Sequence, residues 1–163
     1  MPPPAVCVAP VTPALRAAVL RLRVSREQAA FVSPPALTLP DAERCAGSQP
    51  MAILLGDAVV GYYRIERSAR SLTGAASERR ALGLRSFQID LAHQGQGLGG
   101  SAMRALLVDL AARCPHASGL LLTVSPRNAV ALKLYRRAGF VDRGALYHDA
   151  RTAPEHLWWR VLP

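Results

Sequence analysis

The residues best suited to chemistry lie in one stretch, Phe87-Gln88-Ile89-Asp90-Leu91-Ala92-His93-Gln94-Gly95-Gln96-Gly97-Leu98-Gly99-Gly100. Alternating apolar residues of strand type run into four glycines within six positions, and a helix-forming segment follows at once. Without Cβ atoms, successive main-chain N–H groups can face one concavity. The N-terminus of the following helix adds unpaired donors and a partial positive charge. The pattern therefore predicts an anion site for a phosphate or pyrophosphate. A mere change of chain direction would not need four glycines and their entropy cost. A P-loop is excluded, because no Gly-Lys-Ser/Thr follows the glycines. Gly95–Gly100 also fits the dinucleotide fingerprint G-x-G-x-x-G, but its context is wrong. The next strand, ending Leu122-Thr123-Val124-Ser125, has no acidic residue for a ribose, and too little chain remains for a substrate domain.

A second segment, Asn128-Ala129-Val130-Ala131-Leu132-Lys133-Leu134-Tyr135-Arg136-Arg137-Ala138-Gly139-Phe140, reads as a helix with Val130, Leu134 and Ala138 on one face. Asn128 suits the N-cap and Gly139 the C-terminal stop. Tyr135 is, on these grounds, a half-buried aromatic with its hydroxyl satisfied.

Gln94-Gly95-Gln96-Gly97-Leu98-Gly99 satisfies Gln/Arg-x-x-Gly-x-Gly/Ala, and here the sequence resembles the GNAT family of acetyl-CoA-dependent N-acetyltransferases. The segment 128–140 looks like that family's Asn…Ala…Leu-Tyr…Gly-Phe stretch, and the likeness spans roughly residues 11–161. The resemblance implies acetyl-CoA as cosubstrate and direct transfer of its acetyl group to a primary amine of a small molecule. It implies cofactor binding by Ile89, Leu91, Gln94, Gly95, Gln96, Gly97, Leu98, Gly99, Gly100, Ser101 and Asn128. An N–H near Ile89 or Leu91 would serve as oxyanion donor, and Tyr135 as the acid that protonates the departing thiolate. An alkyl amine with a pKa of about 10.4 is mostly charged at neutral pH, so its proton needs an acceptor. Asp90 lies nearest in sequence, with Glu66 and His148 as alternatives; His93 reads as a surface residue. No residue is assigned to a metal. The run Val24–Val32 and Leu39–Glu43 looks like the amino-terminal helices of the diamine/spermidine acetyltransferase branch. That would place Glu27 near a cationic acceptor, with Asp41 and Glu43 as further candidates. The same three carboxylates also read as an ordinary first-turn helix charge and two loop residues.

The elements that must position these groups follow from periodicity. Thr12-Pro13 opens a helix near 13–24, and Ser25–Gln28 is a capping box for a short second helix that Pro34-Pro35 ends. Residues 34–50 read as loop and residues 1–10 as a loose extension. Met51–Leu55 and Val59–Ile65 flank Gly56-Asp57 as a hairpin. Ser68–Ser77 reads as a flexible loop, and whether it orders over substrate stays open. A strand over Ala81–Leu91 changes its apolar parity, which predicts a β-bulge near 85–86. A helix to Arg113, a buried strand Gly119–Val124, the helix to Ala138 and strands at Phe140–Arg143 and Leu157–Leu162 complete the chain. The sum is a single mixed α/β domain. A GNAT-like fold adds a mostly antiparallel sheet of six or seven strands, about four helices and a late βαβ crossover.

With 163 residues, half of them apolar, the chain can bury a core without staples. Its longest apolar runs fall well short of a membrane span, and the start does not read as a signal peptide. Three scattered cysteines suit a reducing, cytoplasmic setting. The net charge of +9 comes almost wholly from arginine and favours anionic partners in general. It is a poor attractor of polycations. A nucleic-acid module would need clustered basic residues with interleaved aromatics, and aromatics are only 6%. A silent CoA-binding domain would keep the glycine loop without needing Tyr135. No membrane or nucleic-acid partner is expected, and a homodimer is left open.

Overall fold

The structure is a computed structural model and describes residues 2, 4–68, 80–145 and 155–162. In chain order these form β1 (Val6–Pro10), α1 (Pro13–Leu20), a 3₁₀ turn (Gln28–Ala30), α2 (Pro35–Arg44), β2 (Ser48–Leu55) and β3 (Ala58–Glu66). Then come β4 (Ala81–Ile89), a second 3₁₀ turn (Leu91–His93), α3 (Leu98–Arg113), β5 (Gly119–Val124), α4 (Ala129–Arg137), β6 (Val141–Ala145) and β7 (His156–Val161). The strands make one seven-stranded sheet in the order β1-β2-β3-β4-β5-β7-β6. Every neighbouring pair is antiparallel except β4 with β5, the two strands joined through α3.

Strand alternation divides the core between the two faces. Ala52 and Tyr62 pack with Val19, Leu22 and Leu39 under α1 and α2. Met51, Ile53, Tyr63 and Ile65 face the other way, against Met103, Leu106 and Leu110 of α3 and Tyr135 of α4. β3 and β4 approach closely at Gly61, where a Cβ would stand 2.5 Å from the Gln88 carbonyl. That crowding excludes any side chain there.

Several expectations need correction. Residues 1–10 are not simply a loose extension, since Val6–Pro10 pair with Met51–Leu55 and Val6 and Val8 cover the core. Residues 34–50 are not loop: Pro35 opens α2, whose Leu39 and Ala42 are buried on the sheet. The spacing Pro35, Leu39, Ala42 is helical, and burial of that stripe outweighs the proline inside it. The first helix stops at Leu20, because the Arg23 peptide is drawn off by the end of β4. Its N–H donates to Asp90 Oδ1 at 2.9 Å and its carbonyl accepts from the Leu91 N–H at 2.6 Å. The Ser25–Gln28 capping box is present, Gln28 N–H donating to Ser25 Oγ and Ser25 N–H to Gln28 Oε1, yet it opens only a 3₁₀ turn. Most of Ser68–Ser77, and His148, lie outside the described residues.

The bulge stands where the parity change put it. The β3–β4 register shifts between Tyr62 and Arg64, and Ser86 takes a positive φ of 61°.

Candidate active site

The sheet itself opens the site. β4 and β5 pair only over Ala81–Gly83 and Gly119–Leu121, and beyond that point no ladder joins them. Leu84–Ile89 and Leu122–Val124 form the two walls of a cleft of about 660 Å³, within the range of small-ligand pockets. Antiparallel geometry then decides which main-chain groups face it. Asp90 N–H donates to Val60 O, so at the preceding residue, Ile89, the amide and carbonyl point away from β3 and into the opening. The Ile89 carbonyl accepts from Gln94 Nε2 at 2.8 Å.

The glycine loop closes one end of the cleft. Gly95 and Gly97 hold φ of 76° and 75°, a region glycine enters without penalty, and a Cβ at either would meet nothing within 4 Å. A Cβ at Gly99 would make only an ordinary contact with Leu134, 3.8 Å away. Packing within the chain therefore leaves this surface open, and the cradle fits a diphosphate. The first-turn amides of α3, at Leu98, Gly99 and Gly100, have no intrahelical acceptors. Gln94 anchors the loop instead of reaching outward: its Nε2 donates to Gln28 Oε1 at 2.7 Å as well as to Ile89 O.

Tyr135 sits on the opposite wall, 8% exposed, with its ring edge-on to Phe140 at 5.6 Å. Burial pushes its phenol pKa up, so it keeps its proton throughout the neutral range. Asn128 caps α4 through Oδ1, which accepts from Ala131 N–H at 3.3 Å, and it also borders the cleft.

The structure brings together Ile89, Gln94, Gly95, Gly97, Leu98, Gly99, Asn128 and Tyr135 around this one opening. It leaves Asp90, Leu91, Gln96, Gly100, Ser101 and Glu27 out of its lining. Leu91 cannot be the oxyanion donor, because its N–H is spent on Arg23 O. Ser101 accepts from Arg104 Nη2 and borders a groove beside β1. Asp90 clamps Arg23 and lies 3.5 Å from His93 Nδ1. Glu27 is exposed. Three further candidate carboxylates are committed elsewhere: Glu43 to Arg16, Asp41 and Glu66 to Arg64 at 2.8 Å each.

Sequence reasoning missed Gln88, Arg85, Ser125, Thr38 and Glu155, all of which line the cleft, and it placed His93 on the surface although His93 lines it too. For Gln88 a signal existed, since a polar residue between the apolar Phe87 and Ile89 of an interior strand must find partners.

A family model described as "Acetyltransferase (GNAT) family" matches residues 18–140. Spermine/spermidine N(1)-acetyltransferase of Bacillus subtilis (strain 168) is 31% identical over 141 residues, covering 83% of this chain and 88% of that protein. A structure of spermidine N-acetyltransferase from Vibrio cholerae in complex with CoA and spermine superposes with TM-score 0.71 at 14% identity, over 96% of this chain and 95% of that one. AAC(6')-Ib in complex with ribostamycin and coenzyme A gives TM-score 0.76 at 19% identity, over 96% and 93%. The two structural likenesses speak to the fold.

Proposed function

The chain belongs to the acetyltransferase (GNAT) family, and from that premise we propose that it carries the acetyl group of acetyl-CoA to a primary amine of a small molecule, in a ternary complex. The observation that carries this reading is the parting of β4 from β5, with the glycine cradle at one end and Tyr135 on its wall. Open main-chain amides at 95–100 suit the diphosphate, and the gap between the strands suits the extended arm of the carrier.

The residues then divide the work. The amine nitrogen forms a bond to the thioester carbon, and negative charge gathers on the carbonyl oxygen. The inward N–H of Ile89 is the donor poised for that oxygen. As the C–S bond breaks, sulfur takes the electron pair, and the protonated phenol of Tyr135 supplies a proton. The amine must also pass a proton to solvent water, since at neutral pH only about one such amine in a few thousand is uncharged. Asp90 is not placed to take it directly; its carboxylate serves Arg23 and faces His93. A diamine or polyamine acceptor draws its support from the 31% identical B. subtilis relative, named for spermine and spermidine.

The test is an acceptor panel: purified protein, acetyl-CoA and a range of mono-, di- and polyamines, with free thiol followed in time. Saturable, amine-dependent thiol release is expected. CoA binding without turnover on any amine would leave a silent binding domain and overturn the proposal.

A further inference from the structure

Among the described residues that line the cleft, Glu155 is the only carboxylate and Arg85 the only arginine. Arg85 stands two residues past Gly83, where β4 last pairs with β5, and so at the closed end, away from the glycine loop. It faces Arg64 across the β3–β4 ladder, and Arg64 bonds Asp41 of α2. Both arginines therefore lie on the face opposite Tyr135. The two carboxylates beside them go to Arg64: its Nε lies 2.8 Å from Glu66 Oε1 and its Nη1 2.8 Å from Asp41 Oδ2. Glu66 Oε1 also accepts from Ser48 Oγ at 3.1 Å and stays 3.7 Å from Arg85 Nη1, past hydrogen-bond range. Among the described residues no acceptor is bonded to the Arg85 guanidinium, whose side chain is 44% exposed. Glu155 immediately precedes β7, whose Leu157 and Trp159 pack with Leu121 of β5. Strand alternation puts Glu155 on that side too, away from Leu120, Leu122 and Tyr135.

We propose that the acceptor is an amine that also carries a carboxylate, such as an amino acid, and that Arg85 binds this carboxylate. The inference rests on the acetyl-transfer reading and deepens it by naming the substrate class. With the diphosphate in the glycine loop, the thioester lies toward the closed end, where Arg85 borders the cleft. A guanidinium presents paired N–H donors that match the two oxygens of a carboxylate. Glu155 then supplies a single negative charge for the amino end. The charges of the cleft thus mirror those of a zwitterion. A di- or polyamine brings a second ammonium and meets Arg85 with the same sign. The carboxylates that could have drawn it in, Asp41, Glu43 and Glu66, are paired with arginines. The net charge of +9 works in the same direction.

Matched acceptors test this: amino acids, each beside the monoamine left when its carboxylate is removed, with straight-chain diamines as the polycationic arm. At least one amino acid should be acetylated with kcat/KM about tenfold or more above its decarboxylated partner, the worth of a charge-assisted bond. Diamines should fall below monoamines of equal length. Arg85→Gln should raise the KM for that amino acid about tenfold and leave those for its monoamine partner and acetyl-CoA within about twofold. Arg85→Glu should reverse the order and make a diamine the better acceptor. Thermal melts with CoA check folding, and should either variant fail to fold, the wild-type ranking decides. A wild type that prefers diamines or bare monoamines would overturn the assignment, as would equal losses on both members of a pair in Arg85→Gln. A rise confined to the acetyl-CoA KM would give Arg85 to the carrier and overturn it too. A wild-type protein that turns over no amine would instead sink the acetyl-transfer reading, and this one with it.

Discussion

Tyr135 and the Ile89 amide stand on different elements, yet both open on one cleft. The phenol is held protonated by burial. On the proposed mechanism its proton is released only against charge that builds at the leaving sulfur. Removing the hydroxyl should act on the chemical step alone. Tyr135→Phe is expected to lower kcat about a hundredfold, within the usual range for a general acid. The dissociation constant for CoA, measured by calorimetry, should stay within about twofold. An undiminished kcat would show that solvent or another group protonates the thiolate. At this scale the sequence was informative where chemistry leaves a spacing signature, as in Gly95, Gly97 and Tyr135. It was silent on the cleft lining of Gln88, Arg85 and Thr38, which only packing creates.

Secondary-structure elements set the distances between those residues, and one ion network holds α2 to the sheet. Arg64 of β3, 2% exposed, donates to Asp41 of α2 at 2.8 Å, to Ser48 Oγ at 2.9 Å and pairs with Glu66 at 2.8 Å. Its hydrogen bond and charge hold the Asp41 carboxyl below the usual carboxylate range. The sign follows from linkage: a lowered native pKa stabilises the fold above the unfolded value of about 3.9, and the contribution fades as pH falls through the native value. Urea midpoints of wild type and Asp41→Asn should therefore differ at pH 7 and converge as pH drops below about 4. A constant difference down to pH 2 would mean that the Asp41 contribution does not depend on its charge, and no difference at any pH that α2 is held by its apolar stripe alone. That α2 was unreadable as a helix has a physical cause. Pro34-Pro35 can end one helix as readily as open another, Pro40 argues against a helix interior, and only the sheet beneath Leu39 and Ala42 makes α2 worthwhile. The bulge in β4 was readable because a shift in side-chain parity is itself a sequence feature.

Over the whole molecule, the cleft belongs to no single element. It exists because a parallel pair that begins at Ala81 and Gly119 separates three residues later. A ligand that fills such a gap must bridge both halves of the sheet, so its binding should register as global stability. Coenzyme A at a hundred times its dissociation constant is expected to add about 2.7 kcal/mol. For a chain of this size that raises Tm by about 5–10 °C. Absence of any shift at saturating CoA would contradict a site in the cleft. The order of most elements, the mixed α/β class and the glycine loop ahead of α3 were set by the sequence alone, because periodicity, capping and glycine placement act over a few residues. Where β4 leaves β5, which amide turns inward and which carboxylates are already spent on arginines were decided only by the tertiary structure. Those are properties of pairs far apart along the chain, and no local pattern encodes which partner a residue will meet.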